Sequence, residues 1–566
     1  MYKILSINLT DKTFKYDKLE YNDIFLGGRQ TISILLNNTT NIKPEKKNDL
    51  LIFAPGLFAG TFLPCGERLS IGGISPLTGT IKETNAGGNI SKNIASLGLS
   101  AIVITGTFDK NKSAITIEIT PAGVNFHENI ISENLGIYNT FNEITKHWHK
   151  NMPAICIGPK EIAKNPTASI AITAYDMKPR YAGRGGLGNI MADKNIKAII
   201  FSNNDKIKLK RIADRKQLNN IAKIFFNLIK ENPVTKKFNK YGTLSIISLI
   251  NLENALPTKN FREGYFDKIE NISENKLYEI LTTRKNARVG HLCIKNCPIA
   301  CSNIYTDENG NEIVSGLEYE TVALFGANCM IDNIDTIARI NRLCNDLCID
   351  TIEIACAIAC AMDAGKIQWG DGQTVLNLLE NKKPSELFNL ILKGCYATGK
   401  ALNIERIPHV KKQSLAAYDP RVFKGTGVTY ATSPMGADHT SGIVLPFGKK
   451  FDYNFFSPEK QIKLSLKAQK KIAVIDSLGL CLFAHNILST NQYYEDYIKI
   501  CIESITGQRI YSSIEEIGHK IRENEIAFNN FCGINKTNDI LPDFFYTEKM
   551  PVVESTFNIK NFEIEE

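Results

Sequence analysis

The stretch Ala182-Gly183-Arg184-Gly185-Gly186-Leu187-Gly188 lies near the end of the first of two parts of the chain that differ in character. Before it, short apolar runs of strand length are separated by glycine-bearing loops. After the basic, polar stretch 203–217, apolar residues recur at helical spacing. Strand and helix patterns are segregated rather than alternating, which argues against a doubly wound parallel sheet. The sequence therefore predicts an α+β protein with a β-rich N-terminal domain followed by two mainly α-helical domains.

The predicted elements follow from the period of the apolar residues. Strands are expected at 2–8, 13–19, 50–54, 101–106 and 114–120, and helices at 218–230, 244–253, 335–348, 351–364, 375–379 and 386–396. The remainder from about residue 400 is again helix-rich, with a loop-heavy entry at 416–442, and the sequence shows no repeat. A length of 566 residues is compatible with three domains, which we expect at 1–206, 207–405 and 406–566.

Composition excludes several classes of protein. Hydrophobic residues make up 43% and charged residues 22% of the chain, as in globular proteins. The net charge of +8 (67 − 59) is modest, and no block of basic residues predicts a nucleic-acid surface. The chain shows no signal-peptide core and no apolar run of membrane-spanning length, so we expect a cytoplasmic protein.

Three of the fourteen cysteines form a tight cluster, Cys293-Ile294-Lys295-Asn296-Cys297-Pro298-Ile299-Ala300-Cys301. Pro298 disfavours a regular helix here, and a loop can wrap three thiolates around one metal centre. Iron–sulfur clusters are held in this way, and proline beside a ligating cysteine is common. A zinc site completed by His291 and three reduced thiols in a packed loop are the alternatives.

The other cysteines outside this cluster are predicted to be small packing residues. Four of them fall at helical spacing in an apolar stretch, namely Cys344, Cys348, Cys356 and Cys360. The scattered ones are Cys65, Cys156, Cys329, Cys395, Cys501 and Cys532.

Charged and polar groups near the glycine-bearing loops suggest an anion and a site of proton transfer. Arginines of the first domain sit in or beside these loops, where backbone N–H groups and guanidinium groups suit a phosphate; they are Arg29, Arg68, Arg180 and Arg184. The later candidates for acid–base chemistry are Glu318, Glu320, Tyr418 and His439.

Taken in series, the glycine motifs resemble those of the aldehyde ferredoxin oxidoreductases, a family of tungsten- or molybdenum-pterin enzymes. The resemblance covers essentially the whole chain. The motifs that carry it are Leu26-Gly27-Gly28-Arg29, Ser75-Pro76-Leu77-Thr78-Gly79-Thr80, Asn85-Ala86-Gly87-Gly88 and the stretch 182–188. By resemblance, two pterins supply sulfur to the tungsten or molybdenum, and Mg²⁺ bridges their phosphates. The residues expected around those phosphates and the Mg²⁺ are Arg68, Asn85, Gly87, Ala182, Arg184 and Gly185, with main-chain carbonyls near Asn85 and Ala182 as Mg²⁺ ligands.

Two later segments resemble the family's pterin motifs. The segment 476–481 is similar to Asp-x-x-Gly-Leu-Cys, and the segment 345–350 is similar to Asp-x-x-Gly-Leu-Asp but departs from it at Asn345, Cys348 and Ile349. The pterin contacts implied are Asn345, Asp350, Asp476, Gly479 and Leu480. The resemblance also implies a [4Fe–4S] cluster on Cys293, Cys297, Cys301 and Cys481, with one more residue between the first two than the family has.

In the family a glutamate and a histidine carry the proton chemistry. Glu318 is the first match for the glutamate, Glu320 is the second, His439 matches the histidine, and Tyr418 resembles a pocket-lining tyrosine. The resemblance implies oxidation of a small aldehyde to a carboxylate, with electrons passing through the cluster to ferredoxin or a ferredoxin-like subunit. A homodimer is expected on the same ground.

Two rival functions stay open at this point. One is a redox enzyme or complex subunit of the same superfamily that acts on a substrate other than an aldehyde. The other is a non-redox protein that binds zinc through His291 and the clustered cysteines.

Overall fold

The structure is a computed structural model that describes residues 2–39, 50–202, 212–380, 385–445 and 458–562. The expected boundary at 206/207 and most of the polar stretch around it lie outside the described residues. The fold class predicted from the sequence is confirmed: a β-rich N-terminal part is followed by a mainly helical part.

The N-terminal part contains two six-stranded sheets. The first consists of β1 (Tyr2–Asn8), β2 (Thr13–Leu19), β3 (Leu51–Pro55), β4 (Arg68–Ile74), β5 (Ile81–Gly87) and β6 (Ala101–Thr105) in the order β2-β1-β6-β3-β4-β5. The second consists of β7 (Ile115–Thr120), β8 (Gly123–His127), β9 (Ala154–Cys156), β10 (Ile170–Thr173), β11 (Pro179–Ala182) and β12 (Ile196–Phe201) in the order β8-β7-β12-β9-β10-β11.

The two sheets have the same topology, strand for strand. In each, the first and last strands pair in parallel, β1 with β6 and β7 with β12, and the other neighbours are antiparallel. The helices also correspond: α1 (Gly28–Asn37) and α3 (Ile137–His147) follow the first hairpins, and α2 (Ile90–Ser96) and α5 (Leu187–Asp193) follow β5 and β11, while α4 (Lys160–Ala163) has no counterpart. The sequence shows no repeat because strand pairing needs only matching apolar patterns, not matching residues.

The sheets share one core. Apolar side chains of β1, β3, β4 and β6 pack together with those of β7, β9, β10 and β12 and with those of α2 and α5. The outer face of the first sheet is covered by α1, and that of the second by α3. The β-rich part is therefore one layered unit whose loops after β5 and β11 emerge on the side facing the helical part.

The helical part begins at α6 (Arg215–Glu231) and α7 (Pro233–Tyr241). The further helices are α8 (Ile247–Leu252), α9 (Glu274–Thr283), α10 (Tyr319–Ala323), α11 (Ile334–Leu347), α12 (Thr351–Asp363), α13 (Gly372–Glu380), α14 (Glu386–Ile391), α15 (Cys395–Ala401), α16 (Lys424–Thr432), α17 (Pro458–Leu478), α18 (Leu482–Leu488), α19 (Tyr494–Thr506), α20 (Ile514–Phe531) and α21 (Phe544–Thr547). Two small sheets complete it, β13 (Arg288–His291) with β14 (Ser302–Thr306) and β15 (Glu312–Ser315), and β16 (His409–Val410) with β17 (Gln413–Ser414).

Most predicted helices match within a few residues, and one is split. The stretch predicted as a single helix at 386–396 forms α14 and α15, because Gly394 between them has a φ of 93°, which a helix cannot contain. Residues on both sides of 405 pack in one apolar core, so the boundary at 405/406 stays a prediction. In the described part of the chain no single helix is long and apolar enough to span a membrane; α17 and α18 together reach that length and composition but are bent by 120°.

We predict that Gly158→Ala destabilises the junction between the second sheet and α11. A Cβ at Gly158 would lie 2.1 Å from the carbonyl oxygen of Leu347, which is backbone and cannot rotate away. We expect a loss of about 1–3 kcal/mol in the free energy of unfolding, measured as a lower Tm or denaturation midpoint.

Gly183→Ala is the matched control, since a Cβ there meets nothing within 4 Å. Equal stability of the two variants would contradict the close approach of the sheet loop to α11.

Candidate functional site

Two helix ends of the same design face the two sheets. Cys348 is the first residue after α11 and Gly479 is the first residue after α17. Both adopt the left-handed conformation, with φ of 58° and 73°. After α17 the N–H of Leu480 donates to the carbonyl of Ile475 at 3.1 Å. After α11 the N–H of Ile349 donates to the carbonyl of Cys344 at 3.0 Å. Each turn thereby satisfies the last carbonyls of its helix and redirects the chain.

A functional side chain begins the helix that follows each turn. The carboxylate of Asp350 accepts the N–H of Ile352 at 2.9 Å and so caps α12. At the corresponding position Cys481 precedes the first residue of α18, but its side chain makes no hydrogen bond to the helix backbone. The partial positive charge of a helix N-terminus lies beside both side chains.

Backbone hydrogen bonds hold both turns to the sheets. The loops that enter β4 and β10 supply their partners in matching positions. These bonds are Arg68 N–H to Gly479 O (3.1 Å), Cys481 N–H to Cys65 O (2.9 Å), Ser169 N–H to Cys348 O (2.8 Å) and Asp350 N–H to Thr167 O (2.9 Å). Because main chain contacts main chain, the positions of the turns do not depend on flexible side chains.

Cys348 stands where the family motif that this segment resembles has glycine. The turn at Cys348 is nevertheless left-handed, like the turn at Gly479. Its side chain is buried, and its thiol donates to the carbonyl of Ser169 at 3.2 Å. A left-handed conformation costs a residue other than glycine about 1–2 kcal/mol, which this contact and the burial of the side chain offset. The sequence departure at this position has therefore not changed the loop.

The four cysteines expected to hold a cluster converge from two directions. The loop between β13 and β14 carries Cys293, Cys297 and Cys301, and Cys481 comes from the second turn. Cys297, Cys301 and Cys481 pack against the same apolar core. Cys293 lies against Gly87, where a Cβ would come within 3.1 Å of its sulfur. The last residue of β5 thus leaves room for the cysteine loop because it has no side chain.

The electrostatics of the four thiols suit a cationic centre. Burial and the neighbouring thiols Cys297 and Cys481 raise the pKa of Cys293 to about 12, and burial raises the pKa of Cys481 and of Cys301. Cys297 differs, because its hydrogen bond with Cys65 lowers its pKa to about 7. Four buried thiols this close together cannot all ionise unless a positive centre compensates their charges. A sulfur donor set without carboxylate is what an iron–sulfur cluster takes, so these residues fit the group that the resemblance implies.

His291 is not part of this donor set. Its Nε2 is 2.7 Å from Asp176 Oδ2, and its Nδ1 is 3.0 Å from the Nη2 of Arg180. Both ring nitrogens are engaged, which contradicts the zinc site that included this histidine. Within the described ranges, no three histidine, cysteine or acidic side chains are arranged to hold a single metal ion.

A second group of residues forms a small acid–base site. His439 Nε2 lies 3.4 Å from Glu320 Oε1, and the other carboxylate oxygen accepts the N–H of Ala417 at 2.8 Å. Glu320 Oε1 and His439 Nδ1 are both buried without a hydrogen-bond partner. The ring of Tyr418 lies 5.8 Å from that of His439 and 5.3 Å from that of Tyr319, centroid to centroid. Unpartnered buried polar atoms beside aromatic rings indicate a place for a polar ligand.

Glu318 lies elsewhere, although it is only two residues away. Its Oε2 accepts the hydroxyl of Thr243 at 2.6 Å, and its charge acts on the thiol of Cys301. Glu318 precedes the first residue of α10, whereas Glu320 lies within it, so the two carboxylates leave the chain in different directions. The structure brings Glu320, and not Glu318, against His439.

Two of the four loop arginines, Arg68 and Arg184, each link one sheet to one helix turn. Arg68 donates to the side chain of Asn85 and, at 2.9 Å, to its carbonyl, and Asn85 donates to Asp476 at 3.2 Å. Arg184 donates to the carbonyls of Ala437 and Ser414, both at 2.7 Å, and lies 3.4 Å from Asp350. Each arginine therefore lies beside the acid of one pterin motif.

The remaining expected contacts surround these pairs. Ala182 ends β11, and Gly185 is left-handed, with φ of 84°, over the side chain of Lys82. Asn345 lies in the last turn of α11, where its carbonyl accepts the hydroxyl of Tyr181 at 3.0 Å. Leu480 is buried in the apolar core beneath the second turn.

Sequence reasoning missed several buried charges of the site. Glu525 of α20 binds Arg29 through both carboxylate oxygens, at 2.7 and 2.8 Å. Lys82 pairs with Asp438 at 2.6 Å. Burial by itself would raise the pKa of Asp438, but the charges of Lys82 and Arg184 outweigh it and lower that pKa. No local motif predicts these pairs, because the two residues of each pair are hundreds of positions apart in the sequence.

Burial also changes two acids beneath the first sheet's loop. It raises the pKa of Asp476 to about 6. Burial and the nearby Asp476 raise the pKa of Glu83 to about 8. Asn85 donates to both carboxylates, at 3.1 Å to Glu83 and 3.2 Å to Asp476. This pair can hold a proton near neutral pH beside Arg68.

Comparison with known proteins identifies the origin of this architecture. Residues 4–203 match the sequence model for the N-terminal domain of aldehyde ferredoxin oxidoreductase, and residues 220–565 match that for its domains 2 and 3. The chain belongs to the aldehyde ferredoxin oxidoreductase family. The resemblance drawn from the glycine and cysteine motifs is thereby confirmed.

Several relatives are tungsten enzymes. The chain is 29% identical to the tungsten-containing aldehyde ferredoxin oxidoreductase of Pyrococcus horikoshii and 28% identical to that of Pyrococcus furiosus, each over 97% of this chain and 92% of the relative. It is 25% identical, over 78% of this chain and 75% of the relative, to the aliphatic sulfonate oxidoreductase, WOR-like subunit, of Pyrococcus furiosus. The family membership makes the chain an oxidoreductase.

A solved structure shares the fold. The active-site complex BamBC of benzoyl coenzyme A reductase, in complex with 1,5-dienoyl-CoA, matches with a TM-score of 0.76 over 98% of this chain and 92% of that chain, at 16% identity. Oxidoreductases of different names thus share one scaffold, so the fold alone does not specify the substrate.

We predict that Cys348→Gly leaves the free energy of unfolding within about 1 kcal/mol of the wild type, because relief of the left-handed conformation offsets the loss of thiol packing. Cys348→Val, which puts a β-branched residue at φ of 58°, should cost about 2 kcal/mol or more. Denaturation midpoints measure both.

Equal stability of the valine and glycine variants would contradict the left-handed backbone conformation at position 348.

Proposed function

We propose that the chain is a tungsten- or molybdenum-pterin enzyme that oxidises an aldehyde to a carboxylate and delivers the electrons to ferredoxin or a ferredoxin-like subunit. The overall reaction is RCHO + H₂O → RCOO⁻ + 3H⁺ + 2e⁻. The observation that carries the proposal is the pair of Glu320 and His439, each with one buried polar atom that has no hydrogen-bond partner. Such a pair suits a substrate that must gain an oxygen and lose protons.

The groups that this chain would hold are a bis-pterin metal centre, Mg²⁺ at the pterin phosphates and a [4Fe–4S] cluster. For the pterins the supporting residues are the two helix turns with Asn345, Asp350, Asp476, Gly479 and Leu480, and for the phosphates Arg68 and Arg184. For the Mg²⁺ they are main-chain carbonyls near Asn85 and Ala182, beside Gly87 and Gly185. The cluster would take Cys293, Cys297, Cys301 and Cys481. When bound, the pterin metal centre and the cluster would supply the redox chemistry, taking up two electrons and releasing them one at a time, while Mg²⁺ would only hold the phosphates.

Glu320 is the proposed proton acceptor. Burial raises its pKa, so the carboxyl can hold a proton at higher pH than an exposed glutamate. The Ala417 N–H fixes one oxygen at 2.8 Å, which leaves Oε1 to receive a proton. His439, beside it, is proposed to hydrogen-bond the substrate oxygen through its free Nδ1.

The surroundings of this pair favour a small, dry pocket. Tyr418 and Tyr319 are buried, and the ring of Tyr418 lies between those of His439 and Tyr319, tilted against both. The hydroxyl of Tyr319 donates to the carbonyl of Ala417 at 2.7 Å. Rigid aromatic walls exclude bulk water and strengthen the electrostatics of the site. Tyr418 is therefore proposed to orient the aldehyde by contact with its ring.

A second candidate function is supported by one relative and by two departures from the family's motifs. The relative is the WOR-like subunit of an aliphatic sulfonate oxidoreductase, and the match covers 75% of its length. The extra residue between Cys293 and Cys297 and the altered motif at 345–350 are departures that suit a complex subunit with a non-aldehyde substrate.

The proposal is tested by metal analysis of protein purified without oxygen from its native host, followed by a substrate panel. We expect iron together with tungsten or molybdenum, and reduction of a viologen dye on addition of an aldehyde. Reduction by alkanesulfonates but by no aldehyde favours the second candidate. Zinc as the sole metal refutes both.

We predict that Glu320→Gln lowers kcat/KM for the aldehyde by about 10²–10⁴, the usual contribution of a positioned proton acceptor, with metal content unchanged. The amide still accepts the Ala417 N–H, so the fold should be retained.

Glu318→Gln is the matched control at the neighbouring carboxylate and should retain activity within about tenfold. The opposite ranking would return the role to Glu318, the residue that the sequence motif alone favours.

A further inference from the structure

Five cysteines, not four, meet at the cluster site. Cys65 lies in the turn between β3 and β4, is buried and has a left-handed backbone with φ of 59°. No sequence motif places it there, and we expected it to be a packing residue. Its sulfur lies 3.6 Å from the sulfur of Cys297, 232 positions away in the chain.

The position of Cys65 is fixed by the backbone that also positions Cys481. The N–H of Cys481 donates to the carbonyl of Cys65 at 2.9 Å, and the N–H of Arg68 donates to that of Gly479 at 3.1 Å. Cys65 is therefore tied to the second helix turn on one side and reaches the cysteine loop on the other. The backbone of Cys65 is therefore held by main-chain hydrogen bonds, and its buried side chain does not extend into solvent.

The direction of the sulfur–sulfur hydrogen bond follows from the surroundings of the two atoms. As a ligand of the proposed cluster, Cys297 is a thiolate and can only accept a hydrogen bond, so the donor is the thiol of Cys65. Among the hydrogen bonds of the described residues, the thiol of Cys65 has Cys297 as its partner. Two thiolates at this distance would repel each other, whereas one thiol and one thiolate attract.

We propose that Cys65 is a positioning residue of the cluster: its S–H donates to the sulfur of Cys297 and raises the reduction potential of the cluster. The inference rests on the proposed cluster at Cys293, Cys297, Cys301 and Cys481. Hydrogen bonds to cluster sulfurs are one of the protein's means of setting the potential. The reduced cluster carries one more negative charge, so a donor stabilises it more than the oxidised one. Cys65 itself binds no iron and gains or loses no electron.

The test is an electron paramagnetic resonance titration of the cluster in the holoenzyme. The variants are Cys65→Ala, which removes the donor, and Cys65→Ser, which keeps an O–H donor. Cys501→Ala is the matched control, a buried thiol in the same apolar core. Iron per chain is measured for all four proteins.

We expect the wild type and Cys501→Ala to share one midpoint potential. Cys65→Ala should have a more negative midpoint, with the reduced-to-oxidised ratio lowered about tenfold at the wild-type midpoint, which is about 59 mV for one electron. Cys65→Ser should lie between Cys65→Ala and the wild type. All variants should keep the wild-type iron content.

Two results overturn the inference while leaving the proposed function intact. One is an unchanged midpoint in Cys65→Ala. The other is a loss of iron in Cys65→Ala, which would make Cys65 a ligand rather than a donor. A wild type without an iron–sulfur signal overturns the proposed cluster and this inference together.

If Cys65→Ala does not fold, the infrared difference spectrum between the wild type and Cys65→Ser decides. An S–H stretching band shifted to lower frequency than that of a free thiol supports the hydrogen bond. A band at the free-thiol frequency overturns it.

Discussion

Main-chain hydrogen bonds between two helix ends and two sheets hold the candidate site together. The left-handed turns at Cys348 and Gly479 are bonded to the loops that enter β10 and β4. Close approach is obligatory at both junctions: a Cβ at Gly56 would lie 2.2 Å from the nitrogen of Gly479, and one at Gly158 would lie 2.1 Å from Leu347 O. Because each turn redirects the chain into a new helix, it also aims Asp350 and Cys481 toward the space between sheets and helices.

The same junctions concentrate buried charge. Arg29 pairs with Glu525 and Asp476, and Lys82 pairs with Asp438, all largely shielded from water. Buried ion pairs are weak evidence for stability, because desolvation offsets most of their attraction. These pairs lie where sheet loops meet helix ends, so they place several buried charged groups at the same junctions as the two turns.

Two carboxylates two residues apart have different surroundings. Glu318 accepts a hydrogen bond from Thr243 and lies near the thiol of Cys301, whereas Glu320 lies against His439. The two carboxylates bracket the start of α10, so this short helix borders both the cysteine cluster and the pair of Glu320 and His439. Motif matching ranks these glutamates by their neighbours in the sequence, whereas their roles depend on the direction in which each side chain leaves the backbone.

Local apolar periods and short motifs were enough to predict the fold class, some of the strands and helices, and the three cysteines of one loop, while resemblance of the motifs gave the family and added Cys481. The sequence by itself did not reveal the duplicated sheets, since strand order depends on pairing between distant segments that need no common residues. Nor could it choose Glu320 over Glu318, or bring Cys65 to Cys297 and Glu525 to Arg29. Those contacts join residues far apart in the chain, and only the packing of helix ends on sheets decides which side chains meet.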